Sequence, residues 1–313
     1  MENKIEIVRK ASKLNQWKNN YSVLKWFKHL ENKQNLSFIV FDVEKFYPSI
    51  SKDLLMASLE WARNYTEITN GDIEVILGAR KALMYVDGEP WTKKGDEIFD
   101  VGMGTFDGAE VCEIVGLFML EELQKLGINL GIYRDDGLGV SNLSARGVEK
   151  IKKQMSSIFR SHGLEITIKA NKKRVQFLDF YLDLETGEYG PYMKPNDTPI
   201  YVHTGSNHPP KVLQNIPKGI NRRLSLISAT KEIFEREAPV YQAALEKSGH
   251  TYKLNFDENL SLDMEKTKSR TRKDVVWFNP PFSQAVKTNV GRQFLKLLDK
   301  HFPPGSPLHA IFN

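Results

Sequence analysis

The chain has 313 residues, 41% apolar and 27% charged, which suits a folded body with a sizeable core and excludes a disordered chain. Forty-four basic against 39 acidic residues leave a net charge of +5, too mild at this length to argue for nucleic acid by itself. The single cysteine, Cys112, excludes an internal disulfide and a thiolate zinc cluster, and no apolar stretch approaches the roughly 20 residues of a membrane-spanning helix. The opening residues MENKIEIVRKASK also lack a secretory apolar core, so the expectation is an intracellular protein with no membrane partner, cytoplasmic or nuclear.

Residues 16–31 place Trp17, Tyr21, Leu24, Phe27 and Leu30 at helical spacing and predict an amphipathic helix. Phe38-Ile39-Val40-Phe41 reads as a buried strand ending at Asp42. Ser51 caps a helix through LLMASLEWARNY, and further helices fit 72–85 and 108–126. Strand-like segments at 129–134 and 137–141 flank an Asp-Gly step, a hairpin signal. A helix at 145–161 follows, then EITIKA (165–170) and RVQFLDFYLDL (174–184) as strands. Helices fit 215–228, 230–247 with a stop at Gly249, and 290–301. This order predicts an α+β fold, an open sheet backed by helices on one face. Nearly all the excess charge sits in MEKTKSRTRK (264–273), which has five bases and one acid; such a run either follows a phosphate backbone or is a solvated loop. Trp277-Phe278-Asn279-Pro280-Pro281 either stacks a base or packs as a loop.

Asp42 ends an apolar strand, and Asp135-Asp136 stand at a hairpin turn about ninety residues later. Carboxylates from neighbouring strand ends repel one another, and divalent cations between them relieve that repulsion. Two Mg2+ ions, or Mn2+, on such oxygens would activate a hydroxyl and steady a leaving pyrophosphate. An isolated Asp-Asp-Gly is more often a plain turn. The combination FIVFDVEKFYPSI (38–50), GMGTFDGAEVCEIVGLFMLEEL (102–123) and GIYRDDGLGV (131–140), in that order, resembles the palm of reverse transcriptases. The resemblance implies an antiparallel sheet with a ferredoxin-like core, catalytic Asp42, Asp135 and Asp136, and metal ligation by these carboxylates and the Val43 carbonyl, with Tyr133 under the turn. Residues 162–224, beginning HGLEITIKANKKRVQFLDF, are similar to Penelope-like retroelement polymerases through Phe177-Leu178-Asp179, Lys194-Pro195, Ser206-Asn207-His208-Pro209 and Arg222-Arg223.

The resemblance further implies an RNA-directed DNA polymerase acting on dNTPs with an RNA or DNA template and primer. Phe46 and Tyr47 would stand at the nucleotide, Tyr47 under the sugar where its ring would exclude a 2′-hydroxyl; core packing is the rival reading. Gly102 and Gly104 would let the backbone approach template or nucleotide, unless they are ordinary loop glycines. Lys169 or Lys172 would protonate the pyrophosphate, and Lys194, His208, Arg222 and Arg223 would hold nucleic acid. His203 and His208 have no third partner for zinc. Here Met103-Gly104-Thr105 and Asp107-Gly108-Ala109-Glu110 replace the family's Pro-Gln-Gly lead and Ser-Pro step.

The expected organisation is a palm at 1–185 with a truncated fingers remnant, a hairpin and helical thumb-like region at 186–249, and a basic linker with a C-terminal extension at 250–313. A partner or upstream segment would then supply fingers. Two other readings stand beside this one. Tyr47-Pro48-Ser49-Ile50 is also similar to a motif of family B DNA-directed polymerases, and a palm without activity would be a nucleic-acid-binding remnant.

Overall fold

The computed structural model describes residues 2–92, 98–260, 262, 280–307 and 309. The basic run 264–273 and Trp277-Phe278-Asn279 lie outside the described residues. Two compact units divide the chain, Met1–Tyr189 and Gly190–Asn313.

In the first unit the order is α1 (Glu2–Ser12), α2 (Asn20–His29), β1 (Ser37–Val43), a helical turn α3 (Phe46–Ser49), α4 (Lys52–Ala62) and α5 (Asn70–Gly78). There follow the hairpin β2 (Met84–Val86) and β3 (Glu89–Trp91), α6 (Gly108–Gln124), β4 (Asn129–Tyr133), β5 (Asp136–Ser141) and α7 (Ala145–Ser161). Last come β6 (Ile166–Lys172), β7 (Arg174–Phe177) and β8 (Phe180–Asp183), and β9 (Tyr189–Pro191) runs across the division between the units. The main sheet has the order β4-β5-β1-β6, with every pair antiparallel.

Strand periodicity decides where each β1 side chain goes. Ile39, Phe41 and Val43 point into the core with the inner residues of α6 and α7, and the Phe41 and Phe159 rings sit 5.6 Å apart. Phe38, Val40 and Asp42 take the other face. There Phe38 stacks on Phe27 of α2, ring centroids 6.2 Å apart, while Asp42 at the strand's far end is exposed. Glycines make the sheet fit its cover: a Cβ on Gly137, opposite Phe41, would strike the Phe41 ring, and one on Gly131 would meet Trp17 at 2.6 Å.

Several boundaries differ from those expected. The helix predicted from 16 begins at Asn20, because Gln16 bridges to Ile132 and Trp17 N–H donates to its carbonyl at 2.8 Å. The helix expected over 72–85 stops at Gly78. Its last apolar residues form the β2–β3 hairpin, turned by Asp87 and Gly88 at φ 52° and 84°, the two positive angles of a type I′ turn. RVQFLDFYLDL is two strands rather than one, reversed at Leu178, φ 54°. Helix α1 carried no sequence expectation.

In the second unit α8 (Pro210–Ile227) packs on α9 (Lys231–Lys247), and α10 (Val290–His301) follows. Leu224, Ile227, Ile233, Phe234 and Leu245 are buried there. Thr230 caps α9, accepting from the Ile233 N–H, and Gly249 ends it at φ 77°. Among the described residues no helix is long and apolar enough to cross a membrane.

Candidate active site

Asp42 and Asp136 are direct cross-strand partners of β1 and β5, so their side chains leave the same face of the sheet. Thr167 of β6 faces Asp42 from the opposite neighbour, and Lys169 pairs with Val40 on that face. The turn between β4 and β5 is Arg134-Asp135, two residues earlier than the expected Asp136-Gly137 step, with Arg134 at φ 57° and Asp136 already in the strand. Gly137 is therefore a packing glycine beneath Phe41. The Val43 N–H donates to the Asp135 carbonyl at 3.1 Å, tying the hairpin tip to the end of β1.

The carboxylates feel one another. Partial burial first, then the negative charges of Asp135 and Glu44, hold Asp42 above the ordinary carboxylate value. Glu44 is itself fixed by the Thr167 hydroxyl, which donates to it at 2.8 Å. Among the described residues no three His, Cys, Asp or Glu side chains gather closely enough to form a metal cluster. The donor chemistry nevertheless suits Mg2+, a hard cation that commonly takes one or two carboxylates and completes its shell with water and substrate phosphates.

Tyr47 lies in α3, which packs on α6, and is half-buried against the core beside the Cys112 thiol. Burial pushes that thiol up to about 12, so Cys112 stays protonated. Phe46, expected to stand at the nucleotide, lies inside the fold. It is 4% exposed within the core, where the helical turn after Lys45 points it inward. Gly102 and Gly104 lie in the loop before α6, Gly104 at φ 90° with open space around its α-carbon, and neighbouring Met103 and Phe106 are exposed.

The remaining expected residues fall elsewhere. Lys172 pairs with Phe38, beyond a register shift from Val40. Lys194, His208, Arg222 and Arg223 all belong to the second unit, the arginines on α8 and His208 in contact with the Ser206 hydroxyl at 3.0 Å. Sequence reasoning missed Glu44, although it stands two residues after Asp42. It also missed Arg80 and Asp107, a buried ion pair beside α6 whose partners stand 27 positions apart with no local pattern to link them.

No family model and no curated protein matches the chain. Solved structures do. Apo telomerase from Candida tropicalis is similar with a TM-score of 0.51 at 13% identity, covering 80% of this chain and 51% of that one. Telomerase from Candida albicans in complex with a fragment of telomeric RNA gives 0.51 at 11% identity, over 79% and 44%. The corresponding complex from Candida tropicalis gives 0.50 at 13%, over 79% and 45%. The chain thus spans about half the length of these proteins, and what it shares with them is an α+β fold.

Proposed function

We propose that the chain is a template-directed nucleotidyl transferase, an RNA-directed DNA polymerase of a retroelement, Penelope-like by its motifs. One observation carries the reading: Asp42 and Asp136 are paired across adjacent strands on one open face, with Asp135 at the joining turn close enough to raise the Asp42 carboxyl. Asp42, Asp135, Asp136 and the Val43 carbonyl would hold two Mg2+ ions. Bound there, the metal lowers the pKa of a primer 3′-hydroxyl and neutralises charge on the departing pyrophosphate.

The protein's own groups do the positioning. The exposed end of β1 admits a triphosphate, and the Asp135 tip, fastened to the Val43 N–H, keeps its carboxylate beside that of Asp42. Tyr47, steadied by Cys112, presents its ring to the sugar and disfavours a 2′-hydroxyl. Lys169, on the Asp42 face, supplies a proton to the pyrophosphate. Lys194, His208, Arg222 and Arg223, all of the second unit, would hold nucleic acid.

The test is metal-dependent incorporation by the whole chain on RNA/DNA and DNA/DNA primer-templates. Extension on RNA with Mg2+, abolished by Asp135→Ala, is the expected result. Extension on DNA templates alone would favour the family B reading, and salt-dependent binding without incorporation at any Mg2+ or Mn2+ concentration would leave a silent binding remnant.

A further inference from the structure

Beside the carboxylates the fold contains a second polar centre, assembled from the end of α5, the loop 102–107 and the start of α6. Arg80 follows α5 and is 1% exposed. One guanidinium nitrogen, Nη2, donates to the Asp107 carboxylate, while Nε and Nη1 are buried without a hydrogen-bond partner among the described residues. Asp107 is the N-cap residue of α6, a position where aspartate ordinarily accepts from the first-turn N–H groups. Here its side chain makes no cap bond and is given to Arg80 instead.

The 17-residue helix α6 therefore begins without a side-chain cap, and Glu110 is the acidic residue of its first turn. Backbone approach is close at that turn: a Cβ on Gly108 would lie 2.6 Å from Thr105 Oγ1 and 2.9 Å from the Gly102 carbonyl. The Arg80 charge is felt one turn into α6 at Cys112, which adjoins Tyr47, so this centre lies near the nucleotide end of the proposed site.

Two sets of donors, the spare Arg80 nitrogens and the first-turn N–H groups of α6, converge on one kind of partner, a group with several anionic oxygens. We propose that Arg80 and the N-terminus of α6 form a phosphate-binding site, and that the Asp107 carboxylate is its placeholder. On arrival of a phosphate the carboxylate leaves Arg80 and swings aside, so that the guanidinium and the first-turn N–H groups of α6 are both free for the phosphate. The loop with Gly102 and Gly104, whose Met103 and Phe106 side chains are already exposed, uncovers the guanidinium. Assigning the phosphate to the incoming nucleotide or to a strand backbone rests on the nucleotidyl-transfer reading; the site itself does not.

The test measures binding to the full chain by equilibrium dialysis with three probes: pyrophosphate, a dNTP and a single-stranded oligonucleotide. Arg80→Gln is expected to weaken pyrophosphate binding roughly tenfold or more, as loss of a charge-assisted bidentate donor does. Asp107→Asn removes the charge that competes for Arg80, so it should tighten the same binding about threefold or more. Should Arg80→Gln not fold, as judged by circular dichroism, Asp107→Asn decides the matter alone. Unchanged affinity in Arg80→Gln, or weaker affinity in Asp107→Asn, overturns the proposal. If the Arg80 dependence appears with the dNTP, the phosphate is the nucleotide's, and if with the oligonucleotide, the strand's. Incorporation with Arg80-independent binding sinks the site and leaves the polymerase reading standing; Arg80-dependent binding without incorporation does the reverse.

Discussion

Asp42 sits where two demands conflict. Its place at the open end of β1 makes it available to a ligand, but its charge is set against those of Asp135 and Glu44. Because its folded pKa lies above the unfolded one, the folded state holds the proton more tightly, and ionisation costs stability as pH rises through the raised value. Asp42→Asn removes that cost. Thermal melts in metal-free buffer should show the variant more stable than the parent at pH 7 and the difference fading below about pH 4, where both states of the aspartate are protonated. A variant less stable at pH 7 would contradict the charge crowding around this carboxylate. The same substitution should take Mg2+-dependent incorporation to background, separating stability from activity at one residue. Proton and metal compete for this oxygen, so the parent's half-saturating Mg2+ concentration should rise as pH falls toward the Asp42 pKa.

At the level of elements, Gly137 shows how the hairpin is seated. Its place after Asp136 predicts a turn; instead it clears space in β5 for the Phe41 ring. Gly137→Ala overpacks that contact and should cost about 1–3 kcal/mol in urea denaturation, with Phe41→Leu restoring part of it in the double variant. A loss under about 0.5 kcal/mol would mean the ring does not lie over the glycine. The turn itself falls on Arg134, a non-glycine residue at positive φ, and that preference is invisible in the sequence. Where hydrophobic periodicity matches real burial, the sequence reads accurately: Ser144 caps α7, and Val148, Ile151, Met155 and Phe159 form its buried stripe, as the predicted helix at 145–161 requires. Where apolar residues stay outside, periodicity misleads. Met84 and Tyr85 continue the helical pattern of 72–85 but stand exposed on a hairpin. The Asp42 and Asp135-Asp136 juxtaposition is legible because strand ends carry carboxylates at recognisable motifs. The Arg80–Asp107 pair is not, since burial rather than spacing defines it.

For the whole molecule the distribution of charge matters more than its sum. Of the net +5, the stretch 264–273 contributes +4, leaving the rest of the chain close to neutral. If binding to nucleic acid came from the rest of the chain's charges alone, its salt dependence would be shallow at this balance. If the run meets phosphates, each basic residue releases counterions, and five of them would steepen the slope of log affinity against log salt by up to about 4.5 on duplex DNA and about 3.5 on a single strand. Replacing Lys266, Lys268, Arg270, Arg272 and Lys273 with glutamine should therefore flatten the slope by that order while leaving the melting temperature unchanged. Incorporation at low salt and saturating template should also persist, because the carboxylates on β1 and β5 are untouched. An unaltered slope would assign strand binding to other basic residues, with Lys194, Arg222 and Arg223 of the second unit the next to replace. A melting temperature that falls with the slope would show instead that the run contributes to folding, and the charge argument would then carry no weight.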